Sequence, residues 1–149
     1  MILVKEREDL EVFSFIFGIC FGSFLNVLIL RLPLNQSIVI ARSKCPKCNH
    51  LIYWYHNIPL LSYIFLRAKC SYCKEKISFL YFFVELISGL ITLALFLKLG
   101  LTQEFIFMCL ISYVLIVLSF IDLKYKAVPD YLLLIVFILS FFATNFSLI

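Results

Sequence analysis

Four cysteines hold the most specific chemistry in this chain: Cys45-Pro-Lys-Cys48 and, after 21 intervening residues, Cys70-Ser-Tyr-Cys73. A two-residue gap lets a tight turn aim both sulfurs at one ion, and two such turns complete a tetrahedron of thiolates, the donor set preferred by zinc. Such a site is closed, so its metal folds a loop and offers no open position for a substrate. Lys44, Lys47, Lys69 and Lys74 flank the ligands and offset the excess negative charge of four thiolates around a divalent ion. His50 and His56 lie between the two pairs. They are alternative ligands or acid-base groups, though with four cysteines at hand the plainer reading is loop hydrogen bonding.

Carboxylates supply the second kind of chemistry. Glu85 falls inside an apolar run, where an acid is costly unless it faces a polar partner or cavity, and this makes it a functional candidate. Asp122 closes another apolar run and is followed by Leu123-Lys124-Tyr125-Lys126-Ala127-Val128-Pro129-Asp130. An acid in the first turn of a helix, beside a proline, suits the helix dipole and accounts for Asp130 structurally. The same dipole disfavours Asp122 at a helix C-terminus, which leaves pairing with nearby lysines and catalysis as equal alternatives.

The elements that position these groups are membrane spans. Hydrophobic residues make up 64% of the 149 positions and charged residues only 15%, whereas soluble domains are about half apolar. Four runs approach the roughly 20 residues that cross a hydrocarbon core: Leu10 to Leu30, Ile77 to Leu97, Phe105 to Ile121 and Tyr131 to Ile149. The predicted architecture is all-α and polytopic, one membrane domain of four transmembrane helices with a zinc-ribbon-like loop over residues 31–76. A soluble bundle is disfavoured because these runs lack a polar face. The first run follows Lys5-Glu6-Arg7-Glu8-Asp9 and is full length, as expected of a retained span and not of a cleaved signal. Cys20 and Cys109 lie inside runs and read as small packing residues.

Charge sets the orientation. The loop carries Arg31, Arg42, Lys44, Lys47, Arg67, Lys69, Lys74 and Lys76 against a single acid, Glu75, so the positive-inside rule places it and the Asp122–Asp130 connection in the cytoplasm. A reducing compartment favours metal over two disulfides or a redox pair. The basic loop is suited to anionic lipid head groups, and no nucleic-acid partner is expected. The aromatic stretch Tyr53-Trp54-Tyr55-His56-Asn57-Ile58-Pro59-Leu60-Leu61-Ser62-Tyr63 suits the membrane surface.

The order of motifs resembles a known family. Gly22-Ser23-Phe24-Leu25-Asn26-Val27 with Arg31-Leu32-Pro33, the two cysteine pairs around Asn57-Ile58-Pro59-Leu60-Leu61-Ser62-Tyr63, then Tyr81, Val84-Glu85-Leu86, Ile121-Asp122-Leu123 and Pro129-Asp130 are similar to the bacterial type IV prepilin peptidases. The resemblance covers roughly residues 15 to 135. It implies a multi-pass inner-membrane aspartic protease that removes the leader of type IV prepilins or pseudopilins and methylates the new N-terminus. Asp122 is then the first of two catalytic aspartates, with Asp130 in the same motif, one carboxylate activating water while its protonated partner polarises the scissile carbonyl.

Two departures bear on activity. The second aspartate of the family sits in a G-x-G-D motif, and no glycine here, Gly18, Gly22, Gly89 or Gly100, lies in that setting. The expectation is therefore a truncated or split enzyme that needs a second chain for the other aspartate. Where the family has Arg-Gly before the third cysteine, this chain has Arg67-Ala68-Lys69-Cys70, and alanine is penalised if that position needs a positive φ. S-adenosylmethionine is a candidate cofactor on the resemblance alone, since no glycine-rich cradle for it is present. The alternatives are a non-proteolytic membrane module that keeps the zinc loop for prepilin binding or methylation, and a structural scaffold in a secretion or DNA-uptake assembly.

Overall fold

The computed structural model describes residues 2–38, 45, 47–52, 58–126 and 128–147. The described residues are helical, with α1 (Ile2–Arg31), a 3-10 turn (Leu32–Leu34), a short α2 (Leu61–Phe65), α3 (Phe79–Leu99), α4 (Gln103–Tyr125) and α5 (Asp130–Ser147). Among them α1, α3 and α4 are long and apolar enough to cross a membrane, and α5 is a shorter apolar helix.

Helix ends follow local chemistry. Ser78 caps α3 by accepting from the Leu80 N–H at 3.3 Å, and Gly100, at φ +64°, returns its N–H to the Phe96 carbonyl, the usual pair of start and stop signals. Thr102 accepts from the Phe105 N–H at 3.2 Å to start α4. Lys126 ends α4 in the left-handed conformation with its N–H on the Asp122 carbonyl at 2.8 Å. The helices run past the apolar stretches seen in the sequence: α1 begins at Ile2 and not Leu10, and α4 covers Gln103–Tyr125 where the apolar run is Phe105 to Ile121. A helix needs internal hydrogen bonds whether it lies in lipid or in water, so Lys5 to Asp9 simply continue it. The Arg7–Glu11 pair, one turn apart at 3.4 Å, sits in this solvent-side extension.

The bundle is built on α1 against α3. In lipid there is little hydrophobic drive between helices, so close approach through small residues takes its place. Gly18 and Gly22, one turn apart, face Ser88, Gly89 and Thr92. A Cβ at Gly22 would lie 2.7 Å from the Glu85 Cα and one at Gly18 2.8 Å from the Gly89 Cα, so neither position has room for a side chain. Polar side chains then join the helices: the Ser88 hydroxyl donates to the Gly18 carbonyl at 2.9 Å, and the Thr92 and Tyr113 hydroxyls share a hydrogen bond of 2.6 Å between α3 and α4. Ile29, Val84, Val117 and Ile121 fill the core, and α5 packs on α4. Phe13, Phe17, Phe137 and Phe141 point outward, as a lipid-facing surface requires.

Candidate metal centre and membrane-face acids

The two cysteine pairs fold into near copies of one turn. In the first, the Cys45 N–H donates to the His50 carbonyl at 3.0 Å and the Asn49 N–H to the Cys45 carbonyl at 2.9 Å. In the second, the Cys70 N–H donates to the Glu75 carbonyl at 2.8 Å and the Lys74 N–H to the Cys70 carbonyl at 3.1 Å. Asn49 and Lys74, each just after the second cysteine of its pair, take positive φ values of 54° and 57°. Each turn therefore folds back on itself and turns both sulfurs inward.

The turns meet so that the four sulfurs lie within 4.8 Å of one another. The Cys45 and Cys73 sulfurs are 3.7 Å apart, against the roughly 3.8 Å edge of a tetrahedron with zinc–sulfur bonds near 2.3 Å. That separation is far longer than a disulfide, and all six cysteines are free. Backbone N–H groups of Cys48 and Lys47 lower the Cys45 thiol to about 7, and those of Cys73 and Tyr72 lower Cys70. At Cys73 the backbone hydrogen bond at Glu75 acts downward, but burial and the hydrogen bonds from the other three sulfurs outweigh it and raise the thiol to about 11. Four sulfurs this close cannot all ionise without a cation, so the donor set fits a divalent metal.

Other contacts clamp the two turns together. Lys47 and Glu75 form an ion pair of 2.8 Å across them, which raises the Lys47 ammonium pKa through hydrogen bonding and charge. His50 stacks on Tyr72 with ring centroids 3.6 Å apart and stands outside the sulfur cluster. Lys44, the stretch from Tyr53 to Asn57 and with it His56 lie outside the described residues. Arg67 and Ala68 before the third cysteine both have positive φ, 50° and 56°. Ala68 thus occupies the left-handed backbone that glycine adopts without penalty.

The acids are not gathered into one place. Asp122, in the last turn of α4, is exposed and forms no ion pair among the described residues. The lysine beside it turns away, with its ammonium 5.3 Å from the Tyr125 ring. Asp130 opens α5 and is exposed. Glu85 is buried, only 9% exposed. Its Oε2 accepts the Leu60 N–H at 2.8 Å, and its Oε1 lies 3.5 Å from the Asn26 Nδ2. Asn26 Nδ2 also donates to the Tyr81 carbonyl at 3.0 Å. Glu85 thus ties α1, α3 and the residues before α2 together.

Sequence reasoning took Glu85 alone and missed this network of Asn26, Ser88, Thr92 and Tyr113. The signal was present: Glu85, Ser88 and Thr92 recur at i, i+3 and i+7 within an apolar run, one face of a helix.

A helical bundle with membrane-length helices and a four-thiolate knuckle pair between its first two long helices defines a class of polytopic membrane proteins with a metal-binding loop. The bacterial peptidase A24 N-terminal domain matches residues 16–99, and the chain belongs to that family. It is 48% identical over 118 residues to a prepilin leader peptidase/N-methyltransferase of Myxococcus xanthus, covering 79% of this chain and 35% of that protein. Proteins of the same name from Vibrio cholerae, 39% identical (91% of this chain, 56% of that protein), and Bacillus subtilis, 33% identical (87% and 51%), are also similar. The chain spans between about a third and just over half of these relatives' length. No solved structure matches.

Proposed function

We propose that this chain carries the zinc loop and the first catalytic aspartate of a prepilin leader peptidase/N-methyltransferase. The observation that carries the reading is the coexistence, in one family member, of a folded four-thiolate loop with an exposed Asp122 at the end of α4 that forms no ion pair among the described residues. Among the described residues no lysine neutralises Asp122, and this favours chemistry over the structural pairing that the sequence left open. Asp130 and Glu85 are supporting groups. Zinc at Cys45, Cys48, Cys70 and Cys73 is structural, because a closed thiolate tetrahedron keeps no position for a substrate.

Leader cleavage by this mechanism takes two carboxylates sharing a proton. In the proposed arrangement Asp122 supplies one, and an aspartate borne by a second chain supplies the other. The substrates are type IV prepilins or pseudopilins, in the type IV pilus or type II secretion setting. The location is the bacterial inner membrane with the cysteine loop in the cytoplasm, as its basic charge favours. N-methylation would take S-adenosylmethionine as methyl donor, and the left-handed Ala68 is the local reason to expect it to be weaker than with glycine.

The test is leader removal in membrane vesicles by this chain, alone and co-expressed with a membrane segment carrying a G-x-G-D aspartate. Cleavage is expected only with the partner and is lost on Asp122→Asn. Cleavage by the chain alone would overturn the need for a second aspartate from a partner, and cleavage by Asp122→Asn with the partner would remove Asp122 from the mechanism. Methylation of an already cleaved pilin, with no cleavage under any pairing, would favour the non-proteolytic module.

A further inference from the structure

One buried acceptor is left over in the node where α1, α3 and the turn before α2 meet. Asn26 is only 6% exposed, and its Oδ1 has no hydrogen-bond partner among the described residues. Turning the amide over would not help. The Tyr81 carbonyl, 3.0 Å from Nδ2, can only accept, so the nitrogen must face it and Oδ1 must face away. Glu85 has spare acceptor capacity too, since each carboxylate oxygen offers two lone-pair sites. One oxygen takes the Leu60 N–H at 2.8 Å, the Asn26 amide stands 3.5 Å from the other, and the Ser23 hydroxyl also hydrogen-bonds the carboxylate, three neutral donors and no cation among the described residues.

Charge makes the same point. Glu85 forms no ion pair among the described residues, although it lies in a membrane-length helix. A carboxylate at such a position ordinarily faces a cation, a donor or a polar cavity. The backbone is held in an uncommon conformation to build this node: Leu60 has φ 57° and ψ −48°, and in that conformation its N–H reaches the carboxylate. Strain of this kind persists where the surroundings enforce it, often at ligand sites.

We propose that Asn26 and Glu85 form a binding site for a primary ammonium group. An ammonium brings three donors and one positive charge, which matches an amide oxygen without a partner and a carboxylate without a cation among the described residues. A water molecule would satisfy the oxygens but not the charge. The inference rests on the proposed function: leader removal creates a free α-amine, and an enzyme that methylates it must hold it. The amino-acid end of the methyl donor carries the same group, so two sources share one chemistry.

The experiment uses the full chain in nanodiscs and three probes: a short apolar peptide with a free α-amine, its N-acetylated twin, and S-adenosylmethionine alone. Wild-type protein is expected to bind the free-amine peptide about tenfold or more tightly than its twin, the scale of a charge-assisted hydrogen bond. Glu85→Gln should reduce that preference to about twofold or less, because the amide still accepts from Leu60 but carries no charge. Asn26→Leu is the second variant, with metal content and helical circular dichroism as folding checks on both.

A peptide preference that is insensitive to Glu85→Gln, together with a loss of S-adenosylmethionine binding in that variant, assigns the ammonium to the methyl donor and supports the site. Equal binding of the two peptides by wild-type protein, with S-adenosylmethionine binding unchanged in Glu85→Gln, indicates a water-filled node and overturns it. Asp122→Asn should keep the amine preference, so failure of the cleavage reading and failure of this site are read separately.

Discussion

The cysteine loop and the α4–α5 junction differ in how closely their chemical groups are gathered. The loop closes its own chemistry: two turns of the same hydrogen-bonding pattern bring four sulfurs within 4.8 Å, and the Lys47–Glu75 pair bridges them. The junction presents Asp122 and Asp130 exposed on two helix ends, with no described group paired to Asp122. Short-range turns can assemble a metal site from one segment, because the ligands within each pair are three residues apart. A carboxylate dyad needs two acids brought together by packing, and Asp122 and Asp130 lie on separate helices with no such pairing between them among the described residues.

The largest test of that contrast is metal loss. Cys45→Ser with Cys70→Ser should take metal content from about one zinc per chain to near zero, read by elemental analysis. Structural zinc contributes on the order of 10 kcal/mol or more to the folding of such small sites. Wild-type content in the double variant would end the four-thiolate assignment. Asp122→Asn should do the converse, leaving zinc content unchanged while lowering leader cleavage by the complemented chain by about 10² to 10⁴-fold. If zinc content also falls, the two regions are not independent.

Acidity distinguishes them next. Metal binding needs thiolates: backbone N–H groups lower the Cys45 thiol, but burial and the neighbouring sulfurs raise Cys73 to about 11, so the cluster must give up protons when the ion arrives. Proton release on loading means that zinc affinity rises with pH and falls as pH drops below about 7. Competition titrations with a chromophoric chelator at successive pH values measure the slope, and a flat profile would contradict thiolate ligation.

Smaller effects come from packing. Gly22→Val should destabilise the α1–α3 contact by about 1–3 kcal/mol, since its Cβ has no room beside Glu85. Thermal unfolding in detergent reads this, with zinc content expected to persist. Ala68→Gly should stabilise the loop by about 1 kcal/mol or less, the relief of a left-handed alanine set against glycine's greater freedom in the unfolded chain. Slower amide exchange in the loop is the readout, and faster exchange would show that φ +56° is not a source of strain there.

Much was legible in the residues themselves. Apolar runs foretold the long helices because lipid leaves the backbone no partner but itself. The cysteine spacing foretold the sulfur cluster because a two-residue gap fixes a turn wherever it occurs. Helix lengths were less legible: hydropathy marks where lipid begins, and hydrogen bonding carries α1 and α4 beyond it. Only the tertiary structure decided what Glu85 touches. Asn26 is brought to it from α1 by Gly18 and Gly22 packing on α3, and Leu60 comes from the residues before α2, so no local spacing could name either. It also decided that Asp122 stands apart from the lysine beside it, because Lys124 lies over Tyr125 and not on the carboxylate. Local turns and helices are written in neighbouring residues, whereas charge pairing in a membrane bundle depends on which helix faces which.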